Sequence, residues 1–138
     1  MRKLIFATVS ASLLFVQPGY ASSLSSAQIR RLTSGPDVYP DPNNPGYYNL
    51  KFRPNDRRAP YTIEYISQTG YIGIALNKAP LGASRASAEA YLMRILGLTR
   101  PQMCRLDYNL GVPNFVSARY SGMNLGFSFC PGAIRLSG

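Results

Sequence analysis

The stretch YTIEYISQTGYIGIAL, residues 61–76, decides the fold class. Its first six residues are rich in aromatic and β-branched side chains, and Ser67-Gln68-Thr69-Gly70 is turn chemistry. In the run that follows, Ile72, Ile74 and Leu76 share one face. Two β-like runs around a short Gly-containing loop predict a hairpin.

Downstream of the hairpin the period changes from 2 to 3.6. Leu81, Ala88, Leu92, Ile95 and Leu96, with Tyr91 beside them, recur at the spacing of one helical face. Pro80 suits a first helical position and Gly97 a left-handed stop. Glu89 towards the front and Arg94 in the last turn suit the helix dipole. Thr99 and Gln102 then have the spacing of a capping box, with Pro101 in the first turn, which predicts a short helical turn reaching Met103 or Cys104. Leu106, Tyr108, Leu110 and Val112 alternate with polar or small residues, as a half-buried strand does, until Pro113 ends it. Gly122 to Asn124 reads as a turn, and Leu125, Phe127 and Phe129 as a final strand closed by Pro131-Gly132. The expectation is an α+β fold: a small antiparallel sheet, in the order β-β-α-β-β, packed against one main helix.

Upstream, residues 36–60 hold six prolines, with Asn43-Asn44 and Gly46 between them. Proline lacks an N–H and fixes φ, so this part reads as an extended arm with one short strand over residues 47–52. Before it, Leu24, Ile29 and Leu32 have rough helical spacing, with Ser25 or Ser26 as cap. The expected organisation is therefore a leader (1–21), a short helix with the proline-rich arm (22–60) and a core domain (61–138).

The leader reading rests on Met1, Arg2 and Lys3, an apolar run over residues 4–16, and the small residues Gly19 and Ala21. Together these have the form of a cleaved secretory signal. The run is too short for a hydrocarbon core that takes about 20 residues to span, and no second long apolar run follows. The expected address is exported, periplasmic or extracellular. Cys104 and Cys130 are the only cysteines, and in an oxidising compartment an even pair is most simply a disulfide. No C-x-x-C spacing and no histidine is present to make a reactive thiolate.

The absence of histidine also removes the commonest general base and metal ligand. No cofactor and no metal are expected. Ser128 sits in a fragment of a G-x-S-x-G elbow without its last glycine, and reads as a strand residue. Paired carboxylates can hydrolyse glycosides at about 5 to 10 Å separation. Glu64, Glu89 and Asp107 are the acids in structured settings, so a small secreted glycan hydrolase is one reading. The charge pattern favours another. The formal charge of +9 falls to +7 without Arg2 and Lys3, and such a surface attracts anions. Tyr47, Tyr48, Lys51, Phe52, Arg53, Arg57 and Arg58 interleave aromatics with cations, a pattern that stacks rings and holds phosphates or carboxylates. The leading expectation is a non-catalytic exported protein that binds or supports an anionic envelope glycan, peptidoglycan or lipid head group through these residues. A subunit of an envelope assembly, with a protein partner on the arm, is the third. No nucleic-acid motif supports a nucleic-acid partner.

Overall fold

The computed structural model describes residues 24–137. The leader lies outside the described residues. The chain forms helix α1 (Ser26–Thr33), strands β1 (Val38–Pro40), β2 (Tyr47–Leu50), β3 (Tyr61–Ile66) and β4 (Tyr71–Leu76), helices α2 (Leu81–Leu96) and α3 (Arg100–Met103), strand β5 (Tyr108–Gly111) and a 3-10 turn at Ala118–Tyr120. One five-stranded mixed sheet runs β1-β2-β3-β4-β5.

The hairpin β3–β4 is the centre of that sheet, with Ile63 opposite Ile74 and Tyr65 opposite Ile72. Burial alternates residue by residue along both strands. Their inward side chains meet Ala88, Tyr91, Leu92 and Leu96 of α2, and Leu32 of α1 closes the same core. Fully burying an aliphatic side chain of this size contributes about 1.5–3 kcal/mol, so this layer holds most of the stabilisation.

Helices α1 and α3 start with side-chain caps, whereas α2 starts at Pro80 without one. Ser25 Oγ accepts from the Gln28 N–H while Gln28 Oε1 accepts from the Ser25 N–H, a reciprocal capping box. The other end of the Gln28 amide donates to Leu96 O, and Arg31 donates to Ile95 O. Two otherwise unpaired carbonyls at the end of α2 are thereby covered, with a cation at the negative end of the dipole. Gly97 ends α2 in the left-handed region, at φ 62°. Thr99 and Gln102 form the second capping box, at the start of α3.

Two features of the expected fold are corrected. β5 runs parallel to β4, with Ile72 beside Tyr108 and Ile74 beside Leu110. The sixteen-residue α2 spans about 24 Å at 1.5 Å per residue. It returns the chain to the end of the sheet where β4 began, so the next strand must run the same way. The order is therefore four strands, then helix, then one strand, not β-β-α-β-β, and the sheet is not purely antiparallel. The final strand expected at Leu125, Phe127 and Phe129 is irregular chain instead. Its main-chain bonds are Leu125 N–H to Leu110 O, Ile134 N–H to Leu125 O and the turn bond from Cys130 N–H to Phe127 O.

Cys104 and Cys130 form the disulfide, with Cα atoms 5.6 Å apart and a separation of 26 positions in sequence. It ties the end of α3 to the turn that follows Phe127. On the chain-entropy account a loop of this length is worth about 3–4 kcal/mol. We expect the Cys104→Ser, Cys130→Ser variant to lose about that much in urea denaturation, and reduction of the native protein to reproduce the loss.

Candidate functional site

The seven residues of the basic, aromatic stretch do not form one surface. Tyr47 and Tyr48 are neighbours on a strand and point to opposite faces. Tyr48 turns inward, its ring 6.4 Å from that of Tyr65. Lys51 adopts φ 66°, a left-handed conformation uncommon for a side-chain-bearing residue. Its N–H donates to Asp37 O. The turn carries its ammonium inward, 5.3, 5.5 and 5.4 Å from the ring centres of Phe52, Tyr61 and Tyr91. Phe52 packs edge-on against Tyr61. Burial, and then the charge of Asp37, pushes the Tyr91 phenol up to about 12. Tyr48, Lys51 and Phe52 are thus spent on the helix side of the sheet. Arg53, Arg57 and Arg58 remain exposed. The Arg53 guanidinium lies 4.9 Å over the Tyr39 ring, and the Arg58 N–H donates to Asp56 Oδ1.

The three acids are separated as well. Glu64 is on β3, on the face away from α2. Glu89 is on the buried side of α2, at 4% exposure. Its Oε2 accepts from the Ser128 N–H at 2.7 Å, and the Ser128 hydroxyl donates to the same carboxylate at 2.8 Å. Asp107 is exposed just before β5, and its carbonyl receives the Ile72 N–H. The sheet lies between Glu64 and Glu89. Arg85, one helical turn before Glu89 and 8% exposed, donates to Ile134 O. Both charged side chains bind the irregular C-terminal segment rather than each other. The sequence carried a hint of this: Arg85 and Glu89 sit at i and i+4 on the face that Ala88 and Leu92 mark as buried.

The outer face of the sheet holds an arrangement that pattern reading missed. Register places Tyr39, Asn49, Glu64, Gly73 and Asn109 side by side, one from each strand. The next row down is Thr62, Ala75 and Gly111. Over these small residues lies an open cavity of about 380 Å³, lined by Asn49, Thr62, Glu64 and Asn109 and walled by Pro54 and Asn55. A second, of about 350 Å³, shares Ala75 and Asn109 with it and continues to Pro113 and Met123. The two make one groove across the sheet. Burial, and secondarily the charge of Asp41, holds the Glu64 carboxyl above the usual glutamate range. A third cavity, of about 380 Å³, lies between α1 and α2, with Arg31, Asp37, Tyr91 and Arg94 on its walls.

Among the described residues no group of three His, Cys, Asp or Glu side chains is placed to hold a metal ion, and no helix is long and apolar enough to cross a membrane. Comparison with protein-family models, with curated proteins and with solved structures finds no match.

Two outcomes follow from the placement of the acids. Glu89→Gln keeps the shape but turns a donor towards the two donors of Ser128, so we expect a loss of about 1–3 kcal/mol in denaturant unfolding, with the Ser128 amide exchanging faster. For Glu64, the folded chain favours the protonated form. Its contribution is full below the ordinary carboxyl value, about pH 4, and is lost as pH rises through the raised one. Glu64→Gln should therefore match the wild-type Tm near pH 3 and exceed it near pH 7, the gap opening as pH rises above the ordinary carboxyl value.

Proposed function

We propose that this chain is a non-catalytic exported protein that binds or supports an anionic component of a cell envelope: an acidic glycan, peptidoglycan or lipid head groups. The observation that carries the reading is the loop after β2. Arg53, Arg57 and Arg58 are all exposed there, and the Arg53 guanidinium is spread over the Tyr39 ring. The one carboxylate of the loop, Asp56, is turned to the Arg58 N–H. Exposed guanidinium groups on a short loop favour phosphate or carboxylate partners with fork geometry. The disulfide is consistent with export to an oxidising compartment.

Of the seven residues expected from sequence to make this contact, Tyr48, Lys51 and Phe52 turn to the inner face, Tyr47 lies half-buried on the outer one, and the three arginines are exposed, with Tyr39 as an added stacking ring. The hydrolase reading draws no support from the site, since Glu64 and Glu89 stand on opposite sides of the sheet. The assembly reading has one feature on its side: Phe115 is 86% exposed and Met123, at the end of the groove, is also exposed.

Cosedimentation with anionic vesicles, sheared peptidoglycan and an acidic polysaccharide tests the proposal. Each arginine near an anionic surface is worth about 1 kcal/mol. Replacing Arg53, Arg57 and Arg58 together by Ser should weaken binding roughly a hundredfold, and salt should weaken the wild type in the same way. Binding that ignores both salt and the triple substitution would count against it.

A further inference from the structure

The groove on the outer face differs in chemistry from the basic loop. Asn49, Glu64 and Asn109 stand in one row, and Gly73 replaces a side chain between the last two. With strands about 4.8 Å apart, the missing side chain leaves a gap of roughly 10 Å between the backbones of Glu64 and Asn109. Glycine in a central strand weakens the strand, and where it persists it often marks a close approach by another molecule. The room at Gly73 is real: a Cβ added there would meet nothing nearer than Tyr71 Cε1 at 3.5 Å.

The row is also unpaired. Asn49 is only 8% exposed, yet its carboxamide has no hydrogen-bond partner among the described residues, and neither do the side chains of Glu64 and Asn109. The single fully enclosed polar atom without a partner is Tyr61 Oη, on the other face. The Asn49 amide, by contrast, keeps its opening into the cavity that it lines. An amide that faces the groove without a protein partner suits a ligand able to both donate and accept. The lining holds amides, one hydroxyl and one carboxyl, but no cation. It is therefore unsuited to a phosphate or carboxylate. The Tyr71 ring, beside Gly73 on the same face, offers an apolar edge.

We propose that this groove binds an uncharged saccharide, with one sugar ring seated over Gly73, its hydroxyls on Asn49, Glu64 and Asn109 and its apolar face against Tyr71. The site is independent of the anion reading: it uses other residues and needs no charge on the ligand. The loop carrying Arg53 supplies Pro54 and Asn55 to its wall, so an acidic glycan has a place for both its rings and its charges.

The test is an NMR titration of the disulfide-intact protein with uncharged gluco-, galacto-, manno- and N-acetylglucosamine oligosaccharides, with spermidine and inorganic phosphate as controls. A saturable shift of the amides of 49, 64, 73 and 109 is expected with one of these saccharides, unchanged by added salt. Gly73→Val, a good strand former whose Cβ would stand at ordinary contact distance from the Tyr71 ring, should fold normally and abolish the shift. Asn109→Ala should weaken binding about tenfold, the loss of one buried hydrogen bond. The Arg53, Arg57, Arg58 triple variant should bind the saccharide as well as the wild type, even where it no longer binds vesicles. Any of three results overturns the proposal: no saccharide of the panel moves these amides, spermidine alone moves them, or Gly73→Val and Asn109→Ala both bind like the wild type.

Discussion

Residues 112–137 cross the core with almost no regular structure, and everything else depends on how their backbone is satisfied. Leu125 and Phe127 are fully buried, so the amides around them cannot turn to water. Side chains take the place of a strand partner. Asn124 Oδ1 accepts from the N–H groups of both Leu110 and Gly126. Tyr108 Oη accepts from the Phe127 N–H while its ring stacks on Phe127 at 4.1 Å. Glu89 takes the Ser128 N–H and Arg85 covers Ile134 O. A buried carboxylate and a buried guanidinium on one helix are thus explained by the loop they hold, and the disulfide fixes the same segment covalently.

The sheet divides the molecule chemically. Its inner face is spent on α2 and includes the aromatic box around Lys51. Its outer face has no helix over it among the described residues and carries polar and small residues in register. The basic loop after β2 sits at the rim between the two. This geometry places cationic and neutral recognition elements next to each other without mixing them, because the turn at Lys51 sends one cation inward and leaves Arg53, Arg57 and Arg58 in solvent.

Much of this was legible in the sequence where the signal is local. Alternation found β3, β4 and the β5 region, the helical period found α2, the Thr99–Gln102 spacing found α3, and cysteine arithmetic found the disulfide. The failures are those of non-local information. Period tells which side chains face a core, but not which strand lies alongside, so β1 and the parallel direction of β5 were missed. Leu125, Phe127 and Phe129 alternate as strand residues do, yet side chains supply their hydrogen-bond partners. The outer row of Asn49, Glu64 and Asn109 comes from three strands and exists only through register. For the same reason seven adjacent aromatic and basic residues read as one surface when the backbone divides them between two.

The closure of the β5 edge has a bearing on biogenesis. The Leu110 N–H and carbonyl, which would otherwise recruit a foreign strand, are taken by Asn124 and by the Leu125 N–H. The opposite edge, β1, is three residues long and ends in Pro40, a poor template for polymerisation. The guard on β5 is synthesised after every strand it protects. A nascent or truncated chain therefore passes through a stage with a sticky ladder exposed, when a holding chaperone would matter most.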